Sequence, residues 1–372
     1  MADIDKTLSE LGTSVKIEGP DQEVELEKQE EALKEPVQVT PTEDGGVELD
    51  FDPSKVNIEG TPGHFDNLAA LLPDDILDPI GLELFQNYTD YKASRKDWEK
   101  SYTDGLDLLG FKYENRTEPF QGASGATHPV LAEAVTQFQA GAYKELLPAE
   151  GPVRTQIVGN SDQQKEAQAQ RVKDYMNYEL MEKMGEYEPE FDQMLFHLPL
   201  AGSTFKKVYY DDLLGRAVSK FVPADDLIVP YSATSLEDAE AIMHVIKMSE
   251  NDLRKQQVGG FYSDIDLGAP SMMKDEVESK ERELEGTKKT GRQEPVYTLL
   301  ECHVNLDLEG FEDKDANGDD TGIKLPYIVT VEEGSRKVLS IRRNFNPDDP
   351  RKNRIPYFVH FKFLPGLGFY GF

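Results

Sequence analysis

The sequence predicts a mixed α+β fold, mainly helical with small β-hairpins up to about residue 265 and antiparallel β-rich from 296 to 363. Three observations carry this expectation. Apolar residues recur at helical spacing in the first part, as in Val130, Leu131, Ala134, Val135, Phe138, Ala142 and Tyr143. Late in the chain, runs rich in β-branched and aromatic residues are separated by Gly310, Gly318, Gly322, Gly334, Pro347 and Pro350, the punctuation of hairpins. Residues 1–50, in contrast, hold fifteen acidic and four basic side chains and no aromatic ring. Burial there does not offset the entropy of ordering, so a disordered acidic arm is expected, with Val24, Leu26 and Leu33 able to form a short helix on a partner.

Between 51 and 265 the elements follow from local signals. Pro73, Asp74 and Asp75 open a helix, and Ile76, Ile80, Leu82, Leu84, Tyr88, Tyr91 and Trp98 extend it as one or two helices, interrupted near Gly105 and Gly110. A turn containing Gly122 and Gly125 leads through His128 to Pro129 at the first position of a helix that runs to Pro148. Asn160 or Ser161 caps the next, with Val172, Met176, Leu180 and Met184 on one face and Gly185 at its end. A helix through Phe191, Met194 and Leu195 reaches a Gly202 turn, and a hairpin follows, with Phe205, Lys206, Val208 and Tyr210 on one arm and residues 217–222 on the other. Leu236, Ala239, Ile242 and Val245 predict a helix within 235–258, with a second short helix opening at Ser249. The charged segment 266–295 is expected to be a mobile loop or an exposed helix. Strands are expected at 296–307, 325–331, 337–343 and 357–363, and residues 364–372 begin a further region whose aromatic, Gly-rich end exposes apolar surface unless something covers it.

Composition narrows the function. With 40 basic against 71 acidic residues, the formal charge of −31 opposes tight wrapping of nucleic acid around the whole surface. A single cysteine, Cys302, excludes an intrachain disulfide and the usual cysteine-based zinc and iron–sulfur sites. No long apolar run or leader-like start predicts membrane insertion or secretion.

The motifs are mostly decoys. Asp313, Asp315, Asn317 and Gly318 imitate a calcium loop, but Asp320 and Lys324 stand where an aliphatic residue and the closing Glu belong, so a hydrated hairpin loop is expected. The glycines of 122–129 lack dinucleotide spacing and the Lys-Ser or Lys-Thr of a phosphate loop. The six histidines form no metal-binding spacing, and His197 and His360 read as structural. Asp211 and Asp212 with Asp225 and Asp226 would serve a two-metal phosphoesterase if they converged, yet both doublets sit at expected turns. The one basic concentration, Arg342, Arg343, Arg351, Lys352 and Arg354, is either a contact patch for phosphate or an acidic protein, or a solvated turn.

Three segments, 118-EPFQGASGATHPVLAEAVTQFQAGAYKELLPAEGPV-153, 197-HLPLAGSTFKKVYYDDLLGRAVSKFVPADDLIVPYSA-233 and 357-YFVHFKFLPGLGFYGF-372, resemble the portal proteins of tailed bacteriophages, particularly short-tailed and marine ones. The resemblance covers roughly residues 60–372. It implies a homo-oligomeric ring, usually a dodecamer, assembled in the host cytoplasm and placed in the virion at the portal vertex of the capsid. That ring is the channel for double-stranded DNA in packaging and ejection. Its expected partners are the terminase large subunit, major capsid or scaffolding protein, and adaptor or tail proteins. Under the same resemblance, 51–265 is wing-like and 296–363 clip-like. Gly122, Gly125, His128 and Pro129 form a family-like turn and helix start, and Gly202, Phe205, Lys206, Val208, Pro223 and Asp226 a family-like strand region. The five basic residues become candidate terminase, adaptor or channel contacts. Family members continue through further helices, so the chain is expected to be the front part of a portal. No catalytic residue, metal or other cofactor is expected, since packaging energy comes from a separate ATPase. Two alternatives stand beside this: a capsid- or scaffold-binding virion protein without a channel, and a metal-dependent phosphoesterase.

Overall fold

The computed structural model describes residues 38–41, 47–50, 63–109, 120, 122, 128–211, 214–270, 276–284, 286, 296–314, 320–365 and 368–371. The chain divides into two compact units, residues 1–63 and 64–372. In the first, β1 (Gln38–Pro41) pairs antiparallel with β2 (Val47–Asp50). The rest of the expected acidic arm lies outside the described residues, as do Gly110, Gly125, Asp212, Asp315, Asn317 and Gly318.

The second unit is a mixed α+β fold with two open antiparallel sheets. Helix α1 (Asp74–Ser94) begins after extended Pro73 with Asp74 and Asp75 in its first turn, where acids oppose the helix dipole. Helix α2 (Lys96–Leu108) runs through Gly105, which does not interrupt it. Helix α3 (Val130–Leu146) starts one residue after Pro129, which is its N-cap rather than its first turn. Helix α4 (Gln163–Tyr178) is capped by Asp162, not Asn160 or Ser161, because the Asp162 carboxylate accepts the Lys165 amide at 2.8 Å; a single π turn follows at Glu179–Lys183. Helix α5 (Tyr187–Ala201) ends on Gly202, left-handed at φ 76°.

Strand order and register then override sequence order. β3 (Ser203–Asp211) lies between β4 (Arg216–Val222) and β10 (Phe358–Lys362), with Phe205 opposite both Val222 and His360. The larger sheet runs β5 (Leu227–Ile228), β6 (Ala241–Ser249), β7 (Val296–Leu306), β8 (Leu325–Glu332) and β9 (Val338–Arg343). β6 replaces the helix expected from Leu236, Ala239, Ile242 and Val245. Ala241, Ile242 and Met243 are all buried, so this strand shows no polar alternation, and its apolar spacing imitates a helix. The short helix after it is as expected: α6 (Glu250–Val258) is capped by the Ser249 hydroxyl. Within the charged segment, α7 (Glu276–Leu284) buries Val277 against α2 and is therefore more than an exposed helix.

Helix α1 covers one face of the five-stranded sheet, where Leu77, Leu84 and Tyr88 meet Met243, Leu300, Tyr327 and Val331. Gly81 makes this close approach possible, because a Cβ there would stand 2.2 Å from the Arg336 carbonyl oxygen. The outer edge of β9 is sealed by Asn67, whose side chain accepts from Ile341 N at 3.0 Å and donates to Leu339 O at 3.1 Å, as a neighbouring strand would. The three-stranded sheet packs Phe205, Val222 and Phe358 against Tyr102, Leu106 and Val135. Residues 368–371 fold back onto this cluster. Phe369 stacks on Phe205 and is 6% exposed, and Tyr370 stacks on Trp98 at 4.7 Å, so the chain itself covers these two rings of the aromatic end.

Candidate functional site

The three segments that carry the portal resemblance form α3, the β3–β4 hairpin and β10 with its tail, and all three meet around α5. One face of α5 is dry: Phe191, Met194 and Leu195 pack against Phe138, Ala142 and Tyr143 of α3 and against Met181. The opposite face lines a cavity of about 630 Å³ between α2, α5, α7 and β4, a size ordinary for a binding cleft. Its walls include Leu106, Phe196, Leu200, Phe221 and Leu284, and its polar groups are Glu190, Gln193, His197 and Glu281.

These polar groups are positioned by hydrogen bonds. Glu190 accepts the Phe221 amide at 2.6 Å and so protects the outer edge of β4. The Tyr102 hydroxyl donates to Glu281 at 3.2 Å and sits 3.4 Å from His197 Nδ1. Burial pushes the His197 pKa down to about 4, so the ring is neutral at pH 7. The cavity therefore combines apolar walls with hydrogen-bond acceptors and negative charge.

Beside it, Arg95 is an almost wholly buried clamp. Its guanidinium donates to the carbonyls of Ala224 (2.9 Å), Asp225 (2.5 Å) and Leu227 (3.0 Å), to the Tyr370 hydroxyl (3.2 Å) and to Glu99 (2.9 Å). It thereby ties the end of α1 to the β4–β5 loop and to the tail. A second buried network joins the two sheets: Lys207 of β3 contacts both oxygens of Glu301 of β7 at 2.6 Å, Glu301 holds His303 Nε2 at 2.9 Å, and Asn344 reaches His303 Nδ1 at 3.4 Å. Burial alone would raise the Glu301 pKa, but Lys207 and then His303 hold it far below the usual carboxylate range. Nearby His244, its Nδ1 unpartnered, is pushed by burial to about 3. Burial also raises the Cys302 thiol well above its ordinary value, which leaves it inert.

The basic residues of 342–354 do not assemble into one patch. Arg342 donates to the carbonyls of Phe65 (2.6 Å) and Phe261 (3.0 Å) and lies over the Phe261 ring. Arg343 donates to His64 O, Arg354 donates to Leu236 O and Ala239 O, and Lys352 pairs with Asp313. Arg351 is exposed. Four of the five thus bind other parts of the chain, and the contact reading has its clearest exposed member in Arg351.

Gly122, His128 and Pro129 are exposed at the entry to α3, with Gly122 at φ 88°. Gly202 and Phe205 are structural, Val208 is exposed, Pro223 lines the cavity, and the Asp226 carbonyl accepts Val245 N at 2.8 Å. Lys206 is buried over the rings of Tyr187 (4.3 Å) and Phe191 (5.1 Å), with Nζ unbonded and its pKa pushed by burial down to about 8. The Asp211 carboxylate accepts the Leu214 amide in the hairpin turn. Among the described residues no three His, Cys, Asp or Glu side chains are placed to hold a metal ion, and no helix is long and apolar enough to cross a membrane.

Neither the cavity nor the Arg95 clamp is visible in the sequence. Their members come from segments over a hundred residues apart and follow no motif, although the buried Arg95 adjoins the aromatic Trp98 that helped define the helix. No protein-family model and no curated protein matches the chain.

Proposed function

We propose that the chain is a structural subunit of a tailed-bacteriophage portal ring, which lets DNA pass through one capsid vertex and presents a symmetric docking surface to terminase and to adaptor or tail proteins. One observation carries this reading: three segments that resemble portals, far apart in sequence, converge on a single module around α5. In this reading the helices and hairpin before residue 265 are the wing and the strands after 296 the clip or its neighbour, the two sharing both sheets because β6 pairs with β7 and β10 with β3. The charge of −31 supports it physically, since a conduit wall that repels phosphate lets DNA slide in both directions.

Native mass spectrometry with negative-stain imaging of the same sample tests the proposal. A uniform closed ring near the family's twelve copies is the expected result. Monomers throughout the accessible concentration range would favour a capsid- or scaffold-binding role without a channel.

A further inference from the structure

Helix α4 (Gln163–Tyr178) contains no buried residue. Val172, Tyr175 and Met176 are 50%, 60% and 45% exposed and share one face at about 100° per residue, with Lys165 on that face, Arg171 at its edge and Glu166 and Asp174 off it; the C-cap Glu179 falls on the face and is paired with Lys183 at 2.6 Å. The apolar side of this amphipathic helix has no partner among the described residues of its own chain. The cavity on α5 has the reciprocal properties, with Phe196, Leu200, Phe221 and Leu284 in its walls and Glu190 and Glu281 among its polar groups.

We propose that the α4 face of one copy seats in the α5 cavity of a second copy, Val172 and Met176 entering the apolar walls and Arg171 meeting the acidic rim. This rests on the ring reading and names the two surfaces that such a ring would join. The occupant is another copy because of charge. Two chains of −31 repel over most of their surfaces, and contact costs least where a face edged by bases meets carboxylates. Residues 151–184 hold five basic and five acidic side chains, a neutral island in an acidic chain. Met181, just beyond α4, packs with Phe191 and Leu195 on one face of α5, whereas Gln193, His197 and Leu200 line the cavity from the other. Knob and hole are different surfaces of the same copy, so the contact is heterologous and repeats around an axis or along a line.

The test uses the full chain in two forms, each expected to lose assembly at least tenfold alone: Val172→Asp with Met176→Asp, which spoils the knob, and Gln193→Trp, which fills the hole from an exposed position. Mixed in equal amounts, they retain one good knob and one good hole, and native mass spectrometry should show a 1:1 dimer and nothing larger. Arg171→Glu is run beside them as a knob variant that removes no packing, and unfolding midpoints check that each protein is folded. Variants that still form wild-type rings overturn the contact and leave the ring reading standing. Wild-type open chains that the same variants abolish sustain the contact and overturn the closed ring. A mixture that stays monomeric, or Arg171→Glu assembling as wild type, overturns the contact, and a monomeric wild type overturns both.

Discussion

The five-stranded sheet and helix α4 treat their side chains in opposite ways. In the sheet, β8 has seven of eight residues buried and the β9 edge is occupied by Asn67. Even charged residues are used internally: Lys207 and Glu301 neutralise each other between the sheets, and Arg342 and Arg354 bind backbone carbonyls. Helix α4 has no buried residue and holds four large apolar or aromatic residues, Val172, Tyr175, Met176 and Tyr178, in water. One region carries its stability within the chain, and the other, under the contact proposed above, gains it by association. Mutations should therefore be felt as unfolding in the first and as lost association in the second.

The sharpest test of the internal half is Arg95→Ala, next to the sheet. It removes the buried donor from Glu99, the Tyr370 hydroxyl and the Ala224, Asp225 and Leu227 carbonyls, of which that of Leu227 keeps another, the Tyr370 hydroxyl at 3.1 Å, and we expect a loss of about 3–5 kcal/mol in denaturant unfolding. A loss under about 1 kcal/mol would show that the clamp is redundant.

Acidification should come next. His244 and His197 have folded pKa values of about 3 and about 4 against an ordinary 6.5, so the unfolded chain takes up protons that the folded chain refuses. Stability should hold above pH 6.5 and fall as pH drops from 6.5 towards 4, by up to about 1.4 kcal/mol per pH unit for each ring, or about 4 kcal/mol for both at pH 5. His197→Gln should flatten that slope, which urea midpoints across pH would reveal; an unchanged slope would mean that His197 already titrates normally.

Gly81→Ala reverses a general rule. Alanine in a helix interior is ordinarily favoured over glycine by about 1 kcal/mol. Here its Cβ meets the Arg336 carbonyl, and we expect destabilisation of about 1–3 kcal/mol in thermal unfolding. A stabilised variant would show that α1 and the β8–β9 turn separate easily. At the other end of the scale, Val172→Ser with Met176→Ser should change the unfolding free energy in dilute solution by less than about 0.5 kcal/mol. A larger loss there would place α4 with the self-sufficient half.

The legible parts of the fold were those whose signal is local. The Pro73-Asp74-Asp75 start, the helix after Pro129, the β3–β4 hairpin and the four late strands can be read from caps, spacing and turn residues. β6 was not, because a strand buried on both faces has no alternation to read and its apolar spacing fitted a helix. The basic run was legible as charge only; that Arg342, Arg343 and Arg354 reach carbonyls in 64–65, 236–239 and 261 depends on pairings far away in sequence. The stripe expected from Val172, Met176, Leu180 and Met184 is not one face of one helix: α4 stops at Tyr178, Leu180 lies in the π turn and Met184 is buried, while Val172 and Met176 face out, a distinction periodicity does not carry.

The place of β10 has a consequence for how the chain acquires its fold. Ser203 and His360, side by side at 2.9 Å, are 157 residues apart, and β3 becomes a central strand only when β10 arrives. Pairings of such long loop closure form late, so this sheet has high contact order. On the ribosome, β3 and β4 are made long before β10 and wait as a two-stranded ribbon with one open edge and with Phe205 lacking its Phe369 cover. Such edges pair with whatever strand comes first. During synthesis the chain should thus carry an aggregation-prone edge between the emergence of the hairpin and the emergence of residues 358–362.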